Sequence, residues 1–172
     1  MYGSNRLEVE AMKCLECGGA LKSTRKHVAY GACGLPGVVL GNVEVRHCPK
    51  CGEQETVIPR IMDLHRKLAE AVVLKPGRLT GDEIRFARKF LGWSGQDFAR
   101  HAGVKPETVS RWENDREPMA ATGERFLRLA VAYYAPVEDY PIDSLDLPDK
   151  GRNKPLALEA RIKKNHWKMA TA

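Results

Sequence analysis

Residues 94–113 read SGQDFARHAGVKPETVSRWE. Ser94 and Asp97 sit three apart, the spacing at which two side chains satisfy the free N–H groups at a helix start. Gly103 supplies a residue that can turn left-handed and stop that helix. Pro106 fits the first turn of the next helix, which the pattern carries to about Asn114. Ala99 is small where two helices cross closely, and Val104, Val109 and Trp112 are placed to bury against Phe98 and a preceding helix. The layout is two short helices joined by a tight turn, a helix-turn-helix.

At 100° per residue, burial of Val109 and Trp112 turns Glu107, Arg111 and Asn114 outward, with Thr108 and Ser110 on the flanks. A row of polar side chains on a helix braced by its neighbour suits the major groove of double-stranded DNA. Arg111 is the candidate base reader, because a guanidinium matches guanine O6 and N7 with two bonds. Glu107 can accept from a cytosine amino group, and Thr108 can touch a thymine methyl. Lys105, Ser110 and Arg116 are phosphate candidates, as are Gln96 and Arg100 near the start and end of the earlier helix. Glu113 reads as a structural hydrogen-bond partner.

The flanks extend the helical text. Thr80 and Glu83 form a capping box ahead of Ile84, Ala87 and Leu91, with Gly92 as the stop. After Pro118 a longer helix carries Phe126, Ala130 and Tyr133 on one side, with Leu127 and Tyr134 nearby. Both tyrosines read as core or dimer contacts, and Pro136 closes the helix. Upstream, Pro59 opens a helix with Ile61, Leu64, Leu68 and Val72 as its apolar stripe, and Lys75-Pro76-Gly77 breaks it into a linker. Val39 to His47 alternates around Gly41-Asn42, a hairpin signal. Beyond Val137 the chain is polar, and Ala157–Lys168 is a short basic piece of weak helical character. The expectation there is a flexible tail.

Five cysteines stand apart from this pattern. Cys14-Leu15-Glu16-Cys17-Gly18 and Cys48-Pro49-Lys50-Cys51-Gly52 are two knuckles of the same form. Each wraps its backbone round one ion, and the glycine permits the turn that aims amide N–H groups at thiolate. Two knuckles supply four thiolates, the complement of a closed, tetrahedral, structural Zn²⁺ site. The interval between them is longer than usual, but a hairpin fits inside it. A thioredoxin-like redox motif comes singly and opens a helix after a strand. Cys33 is left over as a small half-buried thiol, and His27, His47 and His65 read as surface or packing residues.

Composition bounds the rest. The 172 residues are 43% hydrophobic and 29% charged, which is globular rather than disordered. The formal net charge of +6 favours a polyanionic partner. Residues 137–149 hold five acidic and no basic side chains, whereas residues 150–172 hold seven basic and one acidic. No apolar run approaches the ~20 residues of a membrane span. The first residues lack the apolar core of a signal peptide. The expectation is therefore a cytoplasmic chain with reduced thiols and no membrane. No Cys-His-Asp or paired-carboxylate constellation recommends an enzyme.

Taken together, the chain is expected to be α+β. A small zinc-bound β-hairpin module with its connecting helix (13–74) follows an N-terminal tail (1–12). An all-α helix-turn-helix domain for DNA binding (75–136), which the family resemblance given next makes Xre/Cro-like and dimerising, follows, then the tail (137–172).

Over about residues 12–134 the chain resembles the MqsA-type (YgiT-type zinc finger) antitoxin family. The resemblance rests on the two C-x-x-C-G knuckles, on ETVSRWE (107–113), and on the following helix with Pro118-Met119 and ERFLR (124–128). It implies a type II antitoxin whose zinc module binds a cognate toxin, usually an mRNA interferase, and whose Xre-like domain forms a homodimer on a palindromic operator in its own promoter. It implies that Cys14, Cys17, Cys48 and Cys51 are the zinc ligands and Arg111 the DNA contact. A stand-alone Xre-family transcriptional regulator with a structural zinc module is the alternative. Three positions depart from the pattern: Gly95 where Gln is usual, Lys105 where a capping Ser is usual, and Asp115 where Gly is usual.

Overall fold

The computed structural model describes residues 12–135, 140, 142–145, 147 and 154–171. Five strands and five α-helices alternate unevenly along it: β1 (Lys22–Ala29), β2 (Val38–His47), β3 (Gln54–Val57), α1 (Ile61–Val73), α2 (Gly81–Phe90), α3 (Gly95–Ala102), α4 (Pro106–Glu113), α5 (Ala121–Tyr134), β4 (Leu158–Lys163) and β5 (His166–Thr171). The α+β class holds.

β2 is the axis of one five-stranded sheet. β1 runs antiparallel along one of its edges. The other edge is shared: β3 pairs antiparallel with Glu44–His47, and β4 pairs parallel with Val38–Gly41. The predicted hairpin around Gly41-Asn42 is therefore corrected. The strand runs straight through those residues, and the hairpin is β1–β2, closed by a one-turn 3₁₀ helix at Gly31–Cys33. Asn42 has a φ of 56° and sits where the β1 register shifts, between Lys26 and Val28. Two residues of β2 there oppose one of β1, which is a bulge. Its effect is on parity: the buried positions are Val38 and Leu40 before it and Val43 and Val45 after it. Without the extra residue, a period of two would turn the second pair to solvent.

The expectation of a flexible tail is corrected for residues 158–171, which form the β4–β5 hairpin. Lys164 and Asn165 both have positive φ, 46° and 63°, the requirement of a tight two-residue hairpin turn. Leu158, Ala160 and Trp167 are buried, with Ile162 and Met169 partly so. The alternation is thus strand-like, not helical. Trp167 is fully buried, and its indole N–H donates to the Pro59 carbonyl at 2.8 Å. Residues 1–11, and most of the acidic stretch 137–149, lie outside the described residues.

The helices match their sequence signals closely. Both capping boxes are complete. The Thr80 hydroxyl accepts from the Glu83 N–H, and the Glu83 carboxylate accepts from the Thr80 N–H at 2.8 Å. Ser94 and Asp97 do the same at 3.1 and 3.0 Å. Gly103 ends α3 at a φ of 68°, and Pro106 is the first residue of α4. α1 starts at Ile61, after Arg60, and Ile61 itself is exposed; the buried stripe is Leu64, Leu68, Ala69, Val72 and Val73. On α5 the buried face is Gly123, Glu124, Leu127, Arg128 and Val131. Tyr133 and Tyr134 are exposed, so neither is core.

The hydrophobic core is continuous. It runs from Val38 and Leu40 of the sheet, through Leu64 and Leu68 of α1, to Ile84, Phe98, Val109, Trp112 and Leu127 of the helical half. Buried ions fix the crossing between the halves. Arg128 donates to the carbonyls of Val73, Lys75 and Gly77 and to Glu124. Glu124 also accepts from Arg78 Nε at 2.7 Å and from the Leu79 N–H at 3.0 Å. The Lys75-Pro76-Gly77 break is therefore not a free linker: three of its neighbouring carbonyls end on one guanidinium, and buried carbonyls need such donors.

Candidate metal centre and nucleic-acid interface

The two knuckles fold identically at the backbone. In each, the amide of the first cysteine donates to the carbonyl five residues on, Cys14 to Gly19 and Cys48 to Glu53, both at 2.8 Å. The glycine after the second cysteine donates back, Gly18 to Cys14 and Gly52 to Cys48, both at 2.9 Å. Those glycines have φ of 69° and 81°, a region costly for a side chain with Cβ. The turns bring all four Sγ atoms within 4.8 Å of one another, with Cys14–Cys51 at 3.6 Å and Cys17–Cys48 at 3.5 Å. A tetrahedral ion with metal–sulfur bonds of ~2.3 Å places its sulfurs ~3.8 Å apart. The geometry fits, and the four cysteines can hold a metal ion.

Hydrogen bonding within the cluster splits the thiols. The Cys51 backbone amide, with help from that of Lys50, draws the Cys48 thiol down to about 6. At Cys51 the Glu53 amide pulls downward, but hydrogen bonding with Cys17, Cys48 and Cys14 outweighs it and pushes that thiol up to about 12. One sulfur gives up its proton readily and another resists. Four thiolates this close repel one another unless a cation lies between them. Gly19 packs closely on the cluster: a Cβ there would lie 3.2 Å from Cys48 Sγ and 3.3 Å from Cys17 Sγ. Cys33 lies outside the cluster, its thiol turned to the Tyr30 carbonyl at 3.0 Å and pushed up by burial.

The second candidate site is built on α4. Val109 and Trp112 are buried, as expected, with the Trp112 ring 6.1 Å from Phe98. Glu113 points inward and takes a two-pronged contact from Arg88, at 2.5 and 3.0 Å. Those anchors leave Arg111 outward, with its side chain 49% exposed. Its Nε meets Glu117 Oε2 at 3.0 Å and its Nη2 donates to Thr108 Oγ1 at 3.2 Å. Nη1 has no acceptor among the described residues. Lys105, Glu107, Ser110 and Arg116 are exposed, as are Gln96 and Arg100 on α3, the latter paired with Asp97 at 2.8 Å. Thr108 is half-buried. Asn114 is exposed but occupied: it donates to the Ser110 carbonyl at 2.7 Å and accepts from Arg85 at 3.3 Å.

Two residues of this region carry roles that the sequence did not disclose. Glu117 is the carboxylate on Arg111, six positions away across a turn, where no helical periodicity could signal it. Asp115 sits at a φ of 52° and accepts the Gly81 N–H at 2.8 Å, capping the start of α2. The departure from Gly at this position thus has a physical reason: a carboxylate replaces conformational ease with a cap. Asp115→Ala keeps the unfavourable φ and loses the cap, so it should destabilise by about 1–2 kcal/mol. Asp115→Gly loses the cap but relieves the φ, so it should stay within ~1 kcal/mol of the parent. Urea unfolding of the two variants side by side checks this. Lys105, at the start of α4, makes no side-chain cap bond, in keeping with its chemistry.

Residues 84–133 match the model of a protein family described as Helix-turn-helix. The matched segment runs from within α2 to near the end of α5 and includes all of α3 and α4. No curated protein and no solved structure matches the chain. Among the described residues, no helix is long and apolar enough to cross a membrane.

Proposed function

We propose that this chain is a sequence-specific DNA-binding transcription regulator and, more finely, a type II antitoxin that represses its own promoter. The observation that carries the DNA reading is α4 itself. Trp112, Val109 and Glu113 anchor one side of it and leave Arg111 outward on a braced helix. In this reading Arg111 contacts a guanine, with Glu107 and Thr108 beside it. Lys105, Ser110, Arg116, Gln96 and Arg100 meet phosphates. Asn114 serves as a neighbour that shapes the end of α4. Glu117 holds the Arg111 Nε and leaves Nη1 for the base.

A homodimer on a palindrome follows from the same reading, since paired half-sites one helical turn apart match a two-fold protein. The four cysteines hold structural Zn²⁺. The thiolate set is complete without an open position, so it suits stability rather than chemistry. The toxin, an mRNA interferase, docks on the sheet half. β1 supports this: it is an edge strand exposed from Lys22 to His27, and such an edge can accept a partner's strand. The stand-alone regulator keeps one observation in its favour, the continuous core, which gives the sheet half a purely structural use.

Arg111→Ala should cost about 1–3 kcal/mol of operator affinity and relax base preference at one position in each half-site. Binding to a panel of single-base operator variants at fixed salt reads this out. Unchanged affinity and an unchanged base preference would place the reading face elsewhere. For the finer reading, a tagged chain expressed in its native host should co-purify with a small ribonuclease; recovery of the chain with DNA but no such protein favours the stand-alone regulator.

A further inference from the structure

A cavity of about 380 Å³ lies between the second half of α1 and the β4–β5 hairpin and shares no lining residue with either site above. This is the size of a small-molecule site. Its walls are mainly apolar, with Leu74, Leu156, Leu158, Trp167 and Met169 among them. Lys75 also lines it. That side chain is 7% exposed, and its ammonium donates to Glu83 Oε2 at 2.7 Å. An ammonium carries three donors, and Glu83 is its one acceptor among the described residues. Glu83 balances the charge but takes one of those N–H groups, and the others are donors that a strong acceptor in the cavity can use. Lys67 and Glu70 also line the cavity and balance each other in an ion pair at 2.5 Å, so Lys168, exposed and without a carboxylate partner among the described residues, leaves the rim net positive.

We propose that this cavity binds an amphipathic monocarboxylate, its aliphatic or aromatic body against Leu74, Leu156 and Met169 and its carboxylate accepting from Lys75. The position gives such a ligand a connection to the helix-turn-helix. Glu83, which shares Lys75 with it, also accepts from the Thr80 N–H and the Leu156 N–H, each at 2.8 Å. A ligand that draws on Lys75 therefore acts on the first turn of α2.

The test titrates the full chain, without DNA, with decanoate and with decanol by calorimetry, and follows backbone amides by NMR. Decanoate should bind at least ten-fold tighter than decanol, and the amides of Thr80, Leu156 and Met169 should shift together as it saturates. Ala71→Phe fills the cavity from α1 and should weaken decanoate more than ten-fold. Lys75→Met should bring decanoate down to the affinity of decanol. Because that variant leaves Glu83 buried beside no cation, Lys168→Gln is the companion: it should narrow the acid-over-alcohol preference about three-fold with an unchanged unfolding midpoint. Absence of saturable decanoate binding, equal affinity for acid and alcohol, or amide shifts confined to other regions would overturn the site. None of these readouts involves DNA, so the outcome is independent of whether Arg111 reads a base.

Discussion

Cys48→Ser should purify with less than a tenth of the bound metal of the parent and lose order around both knuckles. Removing one of four thiolates leaves three sulfurs that cannot close a tetrahedral site, and binding energy at such sites, on the order of 10 kcal/mol, is folding energy. The loss should be graded along the chain. The cluster holds residues 12–21 to the β2–β3 turn, whereas the opposite end of β2, Val38–Gly41, is paired with β4 and belongs to the main core. Far-UV helicity from residues 81–134 should therefore persist, supported by Ile84, Phe98, Val109, Trp112 and Leu127. A strong chelator should reproduce the variant. Full metal content in the variant would remove Cys48 from the ligand set. Disappearance of all helical signal would show that the helices have no stability of their own.

Trp167→Ala should lower stability by about 3–5 kcal/mol, the range for removing a fully buried large aromatic. In a chain of this size that is a fall of about 6–20 °C in the unfolding midpoint. The ring is buried completely, and its N–H holds the Pro59 carbonyl just ahead of α1. The backbone amide of the same residue donates to Asp63 Oδ2 at 3.2 Å, so the hairpin also meets the first turn of that helix. Trp167→Phe keeps most of the apolar bulk and should cost less, with the Pro59 carbonyl left to find water. A midpoint unchanged in Trp167→Ala is the result expected of a residue on a solvated tail, and it would mean that the hairpin does not dock in solution.

Local signals were the legible ones. Thr80–Glu83 and Ser94–Asp97 mark helix starts because cap and acceptor lie within three residues. The cysteine knuckles show because C-x-x-C-G is itself a backbone instruction. Val109 and Trp112 declare a buried face because a helix repeats every 3.6 residues. The partners that sequence reasoning missed are distant or parity-dependent. β4 pairs with a strand far back in the chain, and its Arg161 and Lys163, with Lys164-Asn165 at the turn, look like solvated tail when read alone. Gly41-Asn42 has the composition of a hairpin turn and serves as a bulge, a choice that only the neighbouring strand decides. Arg128 looks like a surface cation on an amphipathic helix until the three carbonyls it serves are brought to it. Glu117 reaches Arg111 across a turn.

The parallel β2–β4 pair has a consequence for how the molecule is made. Its strands are about 120 residues apart in the chain, so at the usual pace of synthesis β2 emerges from the ribosome about 6–24 s before its neighbour exists. During that interval the Val38–Gly41 edge is an open template for adhesion to other nascent chains. The knuckles, by contrast, need fewer than 40 residues to meet, and metal capture can close β1–β2–β3 early. The cation would then act as a temporary clamp on an unfinished sheet, and expression under metal starvation should yield aggregate rather than merely apo-protein.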